Sequence, residues 1–381
     1  MKQQRWYLAL AALLALAFVS LPATAWIRSP ATTFATLPPG ATPPEGLTVD
    51  TNGDVYVATF GFPASGESHA PGQVIVFNAQ GKLLRQLTVA GASPHLLGLA
   101  FHPMTHQLLV LDFGAGMVLN VNPQTGASSV FSNIGPKSGI NALTFDALGN
   151  VYISDSFQGI IWQTGPNGGL ATAWVTDPLL TTTGKPPFGA NGIAFNNEGT
   201  ALLVANTGDD SVITIPVSGG NPGTPSVLAY SINGADGLIV DQNDNIWLCA
   251  NQSDEIVVLD PTGKVIAKLG DFNGIDNNGA VRGLLFPASL AFNGSFLLVT
   301  NLVLDTRLFG FPTLDSQWAA QVTTYTVSKI NNHLPPLQGG NGQGGNGQGG
   351  NGQGGNGQGG NGQGGNGQGG NGNGGNGKGH D

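Results

Sequence analysis

Apolar residues in this chain fall into short runs separated by turn residues, and one pairing of runs recurs six times. The copies read EGLTVDTNGDVYVAT from Glu45, LGLAFHPMTHQLLVLD from Leu97, NALTFDALGNVYISD from Asn141, NGIAFNNEGTALLVAN from Asn191, DGLIVDQNDNIWLCAN from Asp236 and ASLAFNGSFLLVTN from Ala288. Successive copies start 44 to 52 residues apart. Val, Ile, Leu and Phe bounded by Asn, Asp and Gly turns predict two strands joined as a hairpin. Two further runs follow, as in GQVIVFNAQGKLLRQLTV from Gly72, GMVLNVNPQTGASSVF from Gly116 and DEIVVLDPTGKVIAKLG from Asp254. A unit near 50 residues with four strands, repeated six times, predicts an all-β fold: a six-bladed β-propeller with four-stranded antiparallel blades. The sixth unit ends in TTYTVSKI at Ile330 without a fourth strand, whereas TTFATLP near Thr32 precedes unit one without a partner. The N-terminal strand is therefore expected to close the last blade and remove two open sheet edges.

Strand parity sorts the connections onto two faces. Turns between strands one and two, and between three and four, are short. The long segments, residues 60–71, 177–190, 270–287 and 303–321, all fall on the opposite face. The first residue of each copy opens on that face around the central channel. Down this column stand Glu45, Leu97, Asn141, Asn191, Asp236 and Ala288, so four of six equivalent positions carry a side-chain oxygen. Long loops gathered on one side of a scaffold mark the side where a site is built.

The ends of the chain break the pattern. Residues 1–25 join a basic start (Lys2, Arg5), an apolar stretch from Trp6 to Val19 and the small-residue sequence Ala23-Thr24-Ala25, which reads as a secretory signal peptide. The expected location is secreted or otherwise extracytoplasmic, with no stable membrane insertion after cleavage. Residues 26–337 form the propeller. Residues 338–381 repeat QGGNG seven times and then run through NGGNG to KGHD, a Gly/Asn/Gln-rich tail with nothing to bury. The tail is expected to be a disordered spacer and is a candidate for contact with a cell wall or matrix.

Formal charge is −9, and loss of Lys2 and Arg5 with the signal would leave 11 basic against 22 acidic residues, a charge of −11. That balance excludes nucleic acid as a partner. Cys249 is the only cysteine and lies within the apolar run IWLCAN, so it is expected to be a buried core residue.

Two carboxylates and two carboxamide oxygens converging on one axis would make a hard, all-oxygen site for one divalent cation, Ca²⁺ in preference to Mg²⁺ or Mn²⁺. Zinc is disfavoured, since no His or Cys stands in the column. The alternative is a water-filled channel lined by turn-capping Asn and Asp. Leu97 and Ala288, which lack ligand atoms, would mark a sector left open for substrate. His102 and His106 form H-x-x-x-H but fall in a turn on the far face, a structural position. His95 and His69 lie on the site face as candidate substrate contacts. Phe309, Phe311 and Trp318 make residues 303–321 a candidate lid.

The phrases PPEGLTVD, NALTFDALGNVYISD, GANGIAFNNEGT and GADGLIVDQNDNIWLCAN resemble the gluconolactonase and regucalcin (senescence marker protein) superfamily over about residues 30 to 330. They are also similar to NHL-repeat blades. The resemblance implies that Glu45, Asn141, Asn191 and Asp236 hold a divalent cation, with Asp236 also serving as catalytic base. Leu47 and Ala142 depart from the family phrases. The implied activity is hydrolysis of a small-molecule lactone or carboxylic ester. The alternatives are a non-enzymatic NHL-like propeller that binds a protein, glycan or wall component, and a lyase resembling the virginiamycin B lyases, which would need a catalytic His95 or His69.

Overall fold

The computed structural model describes residues 28–312 and 315–334. The expected signal segment and the repetitive tail lie outside the described residues. Six four-stranded antiparallel units account for most of the secondary structure. Their innermost strands are Pro44–Val49, Leu96–Phe101, Ile140–Phe145, Ala190–Phe195, Ala235–Val240 and Pro287–Asn293. Each packs against the innermost strands before and after it, and the sixth returns to the first, so the six close a cycle. This is the arrangement of a β-propeller and is consistent with six blades.

Closure follows the sequence expectation. Thr32–Thr36 pairs antiparallel with Thr326–Asn331, completing a sheet whose other strands are Pro287–Asn293 and Phe296–Asn301. Apolar side chains fill the space between neighbouring units. Tyr56, Val74 and Val76 of unit one, for example, pack with Leu96, Leu99 and Leu108 of unit two. Among the described residues no helix is long and apolar enough to cross a membrane.

Every innermost strand breaks register at the same place. In unit one Pro44 pairs with Thr59 and Leu47 with Val57, so Glu45 and Gly46 together oppose Ala58. The same two-against-one irregularity takes in Leu97-Gly98, Asn141-Ala142, Asn191-Gly192, Asp236-Gly237 and Ala288-Ser289. Such bulges bend a strand and re-aim a side chain. Here they fall on the column of oxygen-bearing residues. The residue after the column is Gly in four units because adjacent units meet there backbone to backbone. A Cβ on Gly192 would lie 2.4 Å from the Asp236 carbonyl oxygen, and one on Gly237 would lie 2.4 Å from that of Ala288. Where a larger residue stands, the facing strand supplies a hydroxyl: Ala142 N–H donates to Ser154 Oγ and Ser289 N–H to Thr300 Oγ1, both at 2.9 Å.

Candidate functional site

The second residue of each innermost strand is the column read from the sequence, and all six are at most 6% exposed. Glu45, Leu97, Asn141, Asn191 and Asp236 line one cavity. Ala288 does not. It is covered by an apolar cluster of Phe60, Leu97, Phe286, Leu302 and Leu304. The sector expected to stand open is therefore a packed apolar wall.

A second column completes the lining and was not read from the sequence. In each unit the residue preceding the first column pairs with the end of strand two. Examples are Ala190 with Asn206 and Pro287 with Asn301. The next residue along turns into the channel. These residues are Phe60, Phe113, Ser156, Thr207, Asn251 and Leu302, of which all but Ser156 line the cavity. Ser156 lies directly behind Asn141. Polar members belong to units three, four and five, and apolar members to six, one and two. The site thus has a polar arc and an apolar arc, with Glu45 projecting from the apolar side.

The polar second column orients the first. Thr207 Oγ1 donates its one proton to the Ala235 carbonyl at 2.7 Å, so it faces Asn191 as an acceptor and receives Nδ2–H at 2.9 Å. Ser156 Oγ donates to the Ala190 carbonyl at 2.6 Å and accepts from Asn141 Nδ2 at 3.4 Å. Each hydroxyl therefore fixes which end of the amide is nitrogen and leaves the carboxamide oxygen free of it. Asn251 Nδ2 donates to Asp236 Oδ2 at 2.9 Å. This is the usual way that outer groups set the aim of ligating ones.

The two acids are energetically exposed to each other. Burial lifts Glu45 well above the ordinary carboxylate range, and the negative charge of Asp236 lifts it further. Burial pushes Asp236 up to about 7, although hydrogen bonds from Asn251, Asn191 and the Gly237 backbone favour its ionised form. No Lys, Arg or His lines the cavity to balance them. Two buried carboxylates with neutral oxygens beside them and no resident cationic side chain fit a hard divalent cation, whose charge would return both acids to the ionised state. Among the described residues no three of His, Cys, Asp and Glu gather as a metal cluster. The donor set here holds only two acids, its other members being amides.

The long loops converge over the apolar arc. Phe62 lies 4.9 Å from Phe309 between ring centroids, and Phe113 packs edge-on against Phe157 at 5.5 Å and lies 6.4 Å from Phe188. Of the expected lid aromatics, Phe309 reaches this cluster. Phe311 packs beside Phe309 and under the Lys185 ammonium, while Trp318 packs on Phe272 and is 45% exposed. Phe286 holds left-handed backbone on this wall, at φ 48°, and Val303 does so in the neighbouring core, at φ 54°. Such conformations cost about 1–3 kcal/mol each and persist where the surroundings impose them. Here Asp254 Oδ1 accepts from Phe286 N–H at 2.8 Å, and Leu302 N–H donates to the Phe286 carbonyl at 3.1 Å.

His95 and His69 fall outside the cavity lining. The His95 ring stacks on Phe62 at 4.5 Å, and its Nε2 meets Glu67 Oε1 at 3.0 Å. His69 is exposed in its loop. His102 is fully buried in the far-face turn, its Nε2 at 2.8 Å from the Gly149 carbonyl. Cys249 is buried and unbridged, its thiol held well above its usual range by burial and by Asp236 and Glu45.

Residues 92–270 match the family model described as the SMP-30/Gluconolactonase/LRE-like region, a span that includes Asn141, Asn191 and Asp236 but not Glu45. No curated protein matches the chain. Among solved structures, the calcium-binding protein regucalcin from Agrobacterium tumefaciens superposes with a TM-score of 0.54 at 17% identity, covering 80% of this chain and 97% of that one. A gluconolactonase from Xanthomonas campestris gives 0.55 at 12% identity, with 82% and 99% covered. A luciferin-regenerating enzyme gives 0.57 at 14%, with 80% and 95% covered. At these identities the structural likeness is one of fold. The chain is thus similar to the gluconolactonase/regucalcin propeller proteins, in sequence over residues 92–270 and in fold over most of its length.

Proposed function

We propose that this protein is an exported hydrolase of lactones or related carboxylic esters that depends on one divalent cation, calcium in preference to magnesium or manganese. The observation that carries the reading is the convergence of Glu45, Asn141, Asn191 and Asp236 in one buried cavity whose lining contains no basic side chain. Glu45 and Asp236 would hold the cation through carboxylate oxygens, and Asn141 and Asn191 through carboxamide oxygens. When bound, the cation polarises the carbonyl under attack and offsets the negative charge that develops on its oxygen. Asp236 takes the proton of the attacking water, and the 2.9 Å hydrogen bond from Asn251 holds its carboxylate in place. The apolar wall limits the water around the reacting bond.

The test combines metal analysis of the purified protein with turnover of a small lactone panel before and after EDTA. One tightly held divalent ion per chain and EDTA-sensitive turnover are expected, and Asp236→Ala is expected to lose both. A variant that hydrolyses lactones at the wild-type rate would sink the role of Asp236. Absence of a stoichiometric ion, even after calcium is added, would sink the hydrolase reading and leave a propeller that binds a ligand without turning it over.

A further inference from the structure

We infer that the substrate of this site carries a hydrophobic acyl chain or an aryl ring next to its reacting carbonyl, and is not a polyhydroxylated sugar-acid lactone. The inference rests on the hydrolase reading above and concerns what the cavity can recognise. Its wall is built by Phe60, Phe113, Phe188, Phe286, Leu302 and Leu304, drawn from units one, two and six and from the loops that lead into units four and six. The polar lining has little left to offer a sugar. Thr207 Oγ1 gives its proton to the Ala235 carbonyl and takes one from Asn191. The Asn141 and Asn251 amides each give one N–H, to Ser156 and Asp236. One oxygen each of Glu45, Asn141, Asn191 and Asp236 would face the cation, which leaves Asn251 Oδ1 as a buried acceptor in the lining. A sugar ring placed here would set most of its hydroxyls against phenyl and leucyl surface, losing more hydrogen bonds to water than the few polar groups of the lining return. An alkyl or aryl group would exchange water for that same surface and gain by it. The left-handed backbone at Phe286, held by the hydrogen bond to Asp254, places an aromatic ring in the wall at a conformational cost, so this wall is specified by the fold.

The experiment uses the full chain with calcium. It compares γ-lactones of increasing tail length, from butyrolactone to decalactone, together with dihydrocoumarin and glucono-δ-lactone. The kcat/KM is expected to rise about fourfold per added methylene until the pocket is full. The aryl lactone is expected to exceed gluconolactone by at least about 100-fold. Phe113→Ala and Phe188→Ala should flatten the tail-length ladder, and Phe188→Leu should retain most of it. A flat ladder in the wild-type protein, or a preference for gluconolactone, overturns the inference while leaving the hydrolase reading intact. If no lactone turns over, the hydrolase reading falls, and calorimetric binding of N-alkyl lactams of the same tail lengths decides the pocket. Affinity that rises with tail length upholds the apolar preference, and affinity independent of tail length overturns it.

Discussion

Replacing Asp254 with asparagine should stabilise the protein at alkaline pH and do little in acid. Asp254 is 8% exposed, accepts from Phe286 N–H at 2.8 Å and lies near the like charges of Asp315 and Asp271. Burial first, and the Asp315 charge second, push its carboxyl up to about 7 from an ordinary 3.8. Because the folded value is the higher one, the folded chain binds the extra proton. The stability tied to that proton is whole below about pH 4 and lost as pH rises through 7. The interval from 3.8 to 7, at 1.36 kcal/mol for each pH unit, sets a ceiling of about 4 kcal/mol on the loss. Asparagine keeps the acceptor oxygen for Phe286 without the charge, and it tolerates the left-handed backbone that residue 254 adopts at φ 53°. Urea unfolding at pH 5 and pH 8 is the assay. The variant's midpoint should exceed that of the wild type at pH 8 and approach it at pH 5. A difference of the same size at both pH values, or a variant less stable at pH 8, would refute the reasoning that the ionised carboxylate is a net cost beside this wall.

Three further outcomes test the site and its frame. Thr207→Val is nearly isosteric but leaves the Ala235 carbonyl and the Asn191 amide without their shared hydroxyl, so stability should fall by about 1–3 kcal/mol. The same change should weaken divalent-cation affinity by about 10 to 100-fold in a calorimetric titration. Ser156→Ala should act in the same direction through Asn141, and unchanged cation affinity in both variants would remove their orienting role. Gly192→Ala drives a methyl to within 2.4 Å of the Asp236 carbonyl and 2.5 Å of Leu238 N, so a loss of at least about 1–3 kcal/mol is expected in thermal unfolding. An unshifted melting temperature would show that neighbouring innermost strands have slack there.

Much of this molecule is legible in the order of its residues, for a reason that also sets the limit. A repeated unit lets equivalent positions be compared within one chain, so the variation from Glu45 through Leu97, Asn141, Asn191 and Asp236 to Ala288 stands out against constant apolar runs. The bulge that aims this column into the channel leaves its own trace, the Gly that follows in four of the six copies, because adjacent strands touch there backbone to backbone. The second column left a trace too, one residue past the end of most quoted phrases. Phe60, Phe113, Ser156, Thr207, Asn251 and Leu302 begin loops, where a polar or aromatic residue carries no periodic signal. Only the strand register, which sets Ala190 opposite Asn206 and Pro287 opposite Asn301, shows that the next residue must face the axis. The division into a polar and an apolar arc depends on both columns together. For that reason Leu97 and Ala288 read from sequence as an opening, whereas Leu97 lines the cavity as part of an apolar wall that, with the second column and the loops, packs over Ala288. The first column names the oxygens that could hold a cation, and the second decides what kind of molecule can lie beside it.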